Sequence, residues 1–248
     1  MKSSLSISSS SFLASCLYLV QRVISPMCLL CVGPSADKLL CESCAADLPR
    51  LTHPLCDTCA LPVTSGSHCG ACLTNPPAYD HVCAPFIYAF PADALVQALK
   101  YRGMLAIAPL LGSAMVASLD QRPDILIPMP LSDTRLRERG FNQAQEIARH
   151  VAKLSDLPLM PRACRKVRDT QPQAALPWKA RAKNMRKAFV CDEDFSGKHV
   201  AIVDDVMTTG ATLNELARNL KQAGAARVTA LVATRTLPDA FSRRARHV

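Results

Sequence analysis

The sequence contains no apolar run of the roughly 20 residues that a membrane-spanning helix needs, so we expect no membrane span. Residues 13–16 resemble a lipoprotein cleavage box, but the stretch before them is largely serine, which disfavours export. We instead expect an amphipathic helix over residues 1–27. Its apolar face would carry Leu13, Leu17, Val20 and Ile24. Without export the protein should be cytoplasmic, where thiols stay reduced.

Acidic residues are too few to balance the basic ones. The 20 Asp and Glu face 29 Lys and Arg, which leaves a formal net charge of +9. That excess suits a polyanionic ligand, either a phosphorylated small molecule or nucleic acid. With 49% hydrophobic residues in a chain of 248, wholesale disorder is excluded, and one mid-sized domain plus a small one is expected.

Aromatic and basic residues are scarce between residues 28 and 75, so a base-stacking surface is not expected there. The segment is rich in cysteine instead. Eight of the chain's 12 cysteines form four Cys-x-x-Cys pairs, and the spacing of the first two pairs recurs 28 residues later, which indicates an internal duplication. In a reducing compartment such pairs present four thiolates to a tetrahedral zinc ion. The predicted ligands are Cys28, Cys31, Cys41, Cys44, Cys56, Cys59, Cys69 and Cys72.

The spacing alone leaves the arrangement of these ligands open. The simplest assignment gives one ion to the first four cysteines and another to the last four. Interleaved pairing is equally allowed, as is one ion with the remaining pairs packed as plain thiols. Sites closed by four protein ligands should be structural rather than hydrolytic. The cysteines without a paired neighbour are expected to be small buried hydrophobes, namely Cys16, Cys83, Cys164 and Cys191.

Residues 200–212 are the most informative segment of the chain. The apolar run at 200–203 predicts a strand buried on both faces, and Asp204 and Asp205 follow at its carboxyl end, where open α/β sheets place their ligands. A loop of small residues then precedes a helix that should begin near Thr212, and its N–H groups suit a phosphate. Since carboxylates repel phosphate, the acids suit sugar hydroxyls or a shared magnesium ion. The segment predicts a ribose 5-phosphate site; a helix capped by Thr212 and Glu215 is the alternative.

This segment resembles the phosphoribosyl-pyrophosphate (PRPP) signature of type I phosphoribosyltransferases. In that family the two acids contact the ribose 2- and 3-hydroxyls, and the loop holds the 5-phosphate. The resemblance implies an α/β fold with a parallel sheet flanked by helices, a magnesium ion bound with PRPP, and catalysis that depends on Asp204 and Asp205. It implies phosphate contacts from Thr208, Thr209, Gly210, Ala211 and Thr212.

Cationic residues elsewhere extend the predicted PRPP site. Lys100 ends a predicted helix, where it either complements the helix dipole or contacts a phosphate. A predicted loop after the strand at 125–128 carries Arg135, Arg137 and Arg139, which suit a pyrophosphate or form a solvated basic face.

The long basic segment 165–187 contains Lys166 and Arg168 and lies between two short predicted strands. Its length and low apolar content predict a lid that closes over PRPP and neutralises the departing pyrophosphate. A nucleic-acid-binding loop is the alternative.

The order of the motifs resembles the ComF family of bacterial competence- and DNA-utilisation-associated proteins. After the cysteine pairs come Lys-Tyr-Arg-Gly, Pro-Met-Pro, Arg-Gly-Phe-Asn-Gln-Ala, Thr-Gln and the PRPP loop, between Cys28 and about Arg235. The resemblance implies a role in handling incoming single-stranded DNA or in using DNA as a nutrient. We expect an N-terminal helix at 1–27, a double zinc-ribbon module at 28–75, a linker and strand at 76–90, and a phosphoribosyltransferase-like domain at 91–248.

Two hypotheses about function follow. In the first, the protein is an enzyme: an acceptor displaces pyrophosphate from magnesium–PRPP, although no residue is an obvious general base. In the second, the same site senses PRPP or a nucleotide without turnover, while other surfaces bind single-stranded DNA or a partner such as a DNA-uptake helicase or another competence protein. The sequence does not identify the acceptor.

Overall fold

The structure is a computed structural model that describes residues 26–51, 54–167 and 188–238. The predicted N-terminal helix, Arg168 and most of the predicted lid lie outside these residues. The described helices are α1 (Glu42–Ala46), α2 (Gly70–Thr74), α3 (Ala92–Arg102), α4 (Ile107–Ala117), α5 (Asp133–Arg139), α6 (Gln143–Ser155) and α7 (Ala211–Gln222). The described strands are β1 (His81–Cys83), β2 (Phe86–Ile87), β3 (Ile125–Pro128), β4 (Cys164–Lys166), β5 (Phe189–Cys191), β6 (His199–Met207) and β7 (Arg227–Arg235).

The chain divides into two compact units at the bond between Asp47 and Leu48. In the first, the described residues 26–47 form tight turns and the short helix α1, where the Cys41 sulfur accepts a hydrogen bond from the Cys44 N–H. The second unit contains both sheets and the remaining six helices of the described residues. The second group of cysteine pairs therefore belongs to the same unit as the main sheet.

A five-stranded parallel sheet organises the second unit. Its strands lie in the order β1-β7-β6-β3, and β2 also pairs with β7, in parallel with the rest. The predicted parallel sheet is thus confirmed. The short strands β4 and β5 pair antiparallel with each other and flank residues 168–187.

Both faces of this sheet are covered, as the apolar run at 200–203 predicts. Val200 and Ile202 share a core cluster with Leu213, Leu216 and Leu220 of α7. The alternate residues of β6 are equally buried, because α6 packs on β6 and β3 while α4 packs on α6 and β7. Because helices pack on both faces of the sheet, β6 is held in place, and so are the residues at its carboxyl end.

Three boundaries differ from the sequence-based expectation. Strand β6 continues to Met207, so Asp204 and Asp205 lie within the strand rather than after it. The arginines expected on a loop lie on helix α5, which starts after Ser132 and ends where Gly140 adopts a left-handed conformation. Helix α7 begins at Ala211, one residue before the expected start.

Among the described residues, no helix is both long and apolar enough to cross a membrane.

Candidate functional site

Asp204 and Asp205 have different environments although they are neighbours in sequence. Successive side chains of a strand point to opposite faces, and β6 pairs with β7 at Asp204. Asp204 is half-buried, whereas Asp205 is only 2% exposed. The Asp205 carboxylate lies 2.5 Å from the ammonium of Lys100, which reaches it from the last turn of α3. Lys100 is therefore an inward-facing ion-pair partner and not a surface complement to its helix dipole.

The two acids and Lys100 form a coupled group of charges. Burial raises the pKa of Asp204 well above its ordinary value, and the negative charge of Asp205 raises it further, while Lys100 opposes both effects. For Lys100, burial lowers the pKa, but the attraction of Asp205 outweighs it, so the net pKa is raised. Lys100 therefore stays charged. Asp204 holds its proton more readily than an exposed aspartate and gains from any cation placed beside it.

The loop after β6 curls tightly before α7. Gly210 has φ of 77° and stands immediately before the helix. A Cβ atom at Gly210 would lie 2.6 Å from the Met207 side chain and 3.0 Å from the Tyr79 hydroxyl, so both the backbone conformation and the close approach require glycine. The Thr209 hydroxyl accepts a hydrogen bond from the Ala211 N–H at 3.2 Å. The remaining N–H groups of the first turn of α7 provide the positive end of the helix dipole.

These elements enclose a cavity of about 420 Å³, within the size range of small-molecule sites. Asp204, Asp205 and the loop after β6 line it, together with cations from three separate elements, namely α3, α5 and β4. Of the predicted PRPP residues, the cavity brings together Asp204, Asp205, Thr208, Gly210, Ala211, Thr212, Lys100, Arg135, Arg139 and Lys166. Residues scattered over more than 100 positions of sequence thus converge on a single space.

Of the predicted PRPP residues that the structure describes, two do not line this cavity. The Thr209 hydroxyl is directed to the backbone of α7. Arg137 is exposed on α5, two positions from both Arg135 and Arg139. Since a helix turns about 100° per residue, alternate positions cannot all face one cavity. Arg139 is held in place by a hydrogen bond to the Gln143 amide and by the ring of Tyr101, 5.5 Å from its guanidinium carbon.

Sequence reasoning missed several residues at this site. Tyr88, Tyr101 and Gln143 line the cavity. Tyr101 and Gln143 lie within the Lys-Tyr-Arg-Gly and Arg-Gly-Phe-Asn-Gln-Ala motifs but were given no role there, and no motif marks Tyr88. Arg235, at the end of β7, is only 4% exposed. Its guanidinium donates to the carbonyl of Cys59 at 3.0 Å and to the carbonyls of Met207 and Thr208. A basic residue directly after a buried apolar strand is the one signal that could have marked it.

The cysteine pairs form two separate clusters. The four sulfur atoms of Cys28, Cys31, Cys41 and Cys44 lie within 4.8 Å of one another, and so do those of Cys56, Cys59, Cys69 and Cys72. The structure therefore supports the simplest assignment and not the interleaved one. Four cysteine sulfurs at such spacing fit a tetrahedral zinc ion with no open position. We call these groups the first and the second four-cysteine site.

Comparison with known protein families assigns a type to both regions. The family model described as a double zinc ribbon domain matches residues 19–73, and that described as a phosphoribosyl transferase domain matches residues 136–244. The two four-cysteine sites fall within the first match, and Asp204, Asp205 and the loop after them fall within the second.

Individual proteins show the same similarity. Competence protein F of Haemophilus influenzae is 31% identical over 159 residues, which cover 60% of this chain and 69% of that protein. DNA utilization protein YhgH of Escherichia coli K12 is 32% identical over 170 residues, which cover 65% of this chain and 75% of that protein. Among solved structures, the glutamine PRPP amidotransferase of B. subtilis is 18% identical, with a TM-score of 0.36 over 50% of this chain and 25% of that one. This last similarity is too small to carry an argument.

Proposed function

Because the chain belongs to the family of competence protein F and the DNA utilization proteins, we propose that it binds magnesium–PRPP and transfers the phosphoribosyl group to an acceptor. The observation that carries this proposal is the cavity at the end of β6, where two carboxylates, the loop before α7 and cations from three elements meet. A ribose, its 5-phosphate and a pyrophosphate require these three kinds of surface. Because relatives are named for competence and DNA utilization, we propose that the acceptor is a component or precursor of nucleic acid.

Each part of PRPP has a matching surface. The 5-phosphate fits the loop from Thr208 to Thr212, where backbone N–H groups and the start of α7 favour an anion. The ribose hydroxyls fit Asp204, which faces the cavity. The pyrophosphate fits the cations Arg135, Arg139 and Lys166, which line the same cavity. Magnesium prefers oxygen ligands and keeps several waters, so one carboxylate, that of Asp204, together with the substrate phosphates would be enough to hold it.

The transfer breaks the bond between ribose C1 and the pyrophosphate oxygen while the acceptor forms a bond to C1. Positive charge develops on the sugar and negative charge on the leaving group. Carboxylates near the ribose and guanidinium groups at the pyrophosphate match that distribution, and such fixed charges stabilise a transition state because they need little reorganisation. We also place the protein in a reducing compartment such as the cytoplasm, because the two four-cysteine sites require free thiolates.

A second candidate function is favoured by the Lys100–Asp205 pair. Both acids line the cavity, but Asp205 is buried and its carboxylate is already engaged by Lys100, so Asp204 is the more accessible of the two to the sugar. A site of this kind could bind PRPP or a nucleotide as a signal without turnover, while basic surfaces bind single-stranded DNA or a protein partner.

Pyrophosphate release from magnesium–PRPP distinguishes the two functions. Candidate acceptors would be tested with and without single-stranded DNA, using the wild type and the double variant Asp204→Ala plus Asp205→Ala. Release that needs magnesium and is lost in the double variant supports the transferase. Glu193→Gln, an exposed acid outside the cavity, serves as the control and should retain release. Salt-dependent DNA binding that persists in the double variant, without release from the wild type, supports the non-catalytic module.

A further inference from the structure

A second cavity of about 400 Å³ lies beside β1 and shares no lining residue with the PRPP cavity. Its wall contains a histidine, a cysteine and an aspartate whose ligand atoms lie within 4.8 Å of one another: His81, Cys83 and Asp120. None of these belongs to a Cys-x-x-Cys pair, and the sequence alone gives Cys83 no role beyond packing.

The fold brings these three residues together in a simple way. His81 and Cys83 are two positions apart on β1, so their side chains point to the same face of the sheet. Asp120 follows the end of α4 and reaches them from the adjacent layer. One Asp120 oxygen is 2.7 Å from His81 Nε2, and the other is 3.4 Å from the Cys83 sulfur.

The hydrogen bond made by His81 Nδ1 determines whether Nε2 is available as a metal ligand. Nδ1 lies 2.5 Å from the carbonyl oxygen of Asp57. Since a carbonyl can only accept a hydrogen bond, Nδ1 must carry a proton. With Nδ1 protonated, Nε2 faces the Asp120 carboxylate, and either a second proton or a bound metal ion can lie between these two atoms. Histidine ligands of metal ions are commonly oriented in this way, through a hydrogen bond from the other ring nitrogen.

The distances from the Asp120 oxygens to His81 Nε2 and to the Cys83 sulfur are close to the ligand–ligand distances of a metal site. With bonds of about 2.0–2.2 Å to nitrogen and oxygen and about 2.3 Å to sulfur, tetrahedral zinc sets its ligands roughly 3.3–3.6 Å apart. The sulfur–oxygen distance already fits. The nitrogen–oxygen distance involves the other oxygen of Asp120 and has to widen by about 0.6 Å. A rotation of Asp120 allows this, because its side chain is 58% exposed.

We propose that His81, Cys83 and Asp120 bind a third metal ion, a divalent ion of the zinc type, in addition to any ions in the two four-cysteine sites. Nitrogen, sulfur and oxygen donors together suit such an ion better than magnesium or calcium, which prefer oxygen alone. With three protein ligands the fourth position opens onto the cavity, where a water or an anion can bind. Arg50, which also lines that cavity, carries the charge to attract an anion.

Metal counting on the full-length protein tests this proposal. With both four-cysteine sites loaded with zinc, further zinc is titrated against a chromophoric chelator, and we expect one additional, weaker equivalent. Asp120→Asn should weaken that equivalent by at least about tenfold. Asp124→Asn is the matched control: Asp124 lies four positions away and accepts a hydrogen bond from the His199 N–H at 2.8 Å, which asparagine can also accept. This control should bind the extra zinc like the wild type.

Cobalt absorption distinguishes metal binding by Cys83 from a purely structural role of this cysteine. Added to the zinc-loaded protein, cobalt should produce thiolate-to-metal absorption from a single cysteine, and Cys83→Ser should remove it. His81→Gln provides an independent ligand variant, with circular dichroism to show that each variant is folded. Binding of only two zinc ions, or an extra equivalent that survives unchanged in Asp120→Asn and His81→Gln, would overturn the proposal and leave His81 and Asp120 as an ion pair.

Discussion

At the scale of single residues, the neighbouring acids Asp204 and Asp205 of β6 differ in burial and in charge partner. Asp204 is open to the cavity and is destabilised as an anion by burial and by its neighbour. Asp205 is buried and neutralised by Lys100. Successive side chains of a strand face opposite sides, so the sequence would have predicted this difference if the strand had been expected to continue to Met207. The apolar run ends at Val203, however, and gives no sign that pairing with β7 continues.

This difference predicts opposite effects on the stability of the ligand-free protein. Asp204→Asn removes a carboxylate that is unfavourable in the folded state, and we expect a Tm increase of about 2–4 °C, which corresponds to roughly 1 kcal/mol in a domain of this size. Asp205→Asn removes the partner of the largely buried Lys100 and should cost about 3 kcal/mol. Thermal unfolding at neutral pH measures both. Adding Lys100→Met to Asp205→Asn should recover part of the loss.

The pH dependence of the Asp204→Asn effect follows from the raised pKa. Between the ordinary value of 3.8 and its raised folded value, Asp204 binds more protons in the folded than in the unfolded state. The wild type therefore loses stability as pH rises through that window. The advantage of Asp204→Asn should be largest at neutral pH and should disappear on acidification. An advantage that grows at low pH would contradict this explanation.

At the scale of secondary-structure elements, the ends of β6 and β7 are joined to the second four-cysteine site. Arg235 is the link, because its guanidinium binds the Cys59 carbonyl on one side and the Met207 and Thr208 carbonyls on the other. The sequence predicted the cysteine pairs and the PRPP loop separately. It could not show that one side chain contacts both, since Cys59 and Arg235 are 176 positions apart.

Arg235→Met should therefore affect the PRPP loop as well as stability. The change removes the guanidinium donor from the Cys59 and Thr208 carbonyls, at a cost of about 3 kcal/mol, and frees the start of the loop; the Met207 carbonyl keeps its bond from the Thr236 N–H. Calorimetric titration with magnesium–PRPP should show at least about tenfold weaker binding. Arg227→Met, on the same strand but at its opposite end, is the control and should leave PRPP affinity unchanged.

Helix α5 shows why another element was misassigned. A run of arginines at the end of a strand favours a loop in a sequence-based interpretation, yet Ser132 at one end and Gly140 in a left-handed conformation at the other define a short helix. Arginine is also a good helix former. The consequence for the site is that the helix presents Arg135 and Arg139 to the cavity, while Arg137 lies on another face.

At the scale of the whole molecule, the two four-cysteine sites lie in different compact units. Cys56 and Cys59 are part of the core cluster that also contains Met207 and Leu213, next to the PRPP loop. The repeated spacing predicted two equivalent sites, but it could not reveal that only the second is built into the sheet domain. Burial against non-local residues decides that, and spacing carries no information about it.

Equivalent cysteines of the two sites should therefore differ in their effect. Cys44 and Cys72 occupy the same place in the repeat and are both half-buried. Cys72→Ser should destabilise the second compact unit by at least about 3 kcal/mol and weaken PRPP binding. The reason is that it removes one ligand from the second four-cysteine site, which is part of the core of that unit. Cys44→Ser should leave PRPP binding within about twofold of the wild type. Equal losses in both variants would contradict the assignment of the two sites to separate units.

The central claim is that the cavity at the end of β6 binds magnesium–PRPP through Asp204 and the loop that follows. Calorimetric titration of the full-length protein with magnesium–PRPP tests it most directly, with Asp204→Ala and Glu193→Gln measured in parallel. We predict saturable binding of one PRPP per chain, dependent on magnesium, retained in Glu193→Gln and at least about 100-fold weaker in Asp204→Ala. An absence of saturation in the wild type at every magnesium concentration, or unchanged affinity in Asp204→Ala, would contradict the claim.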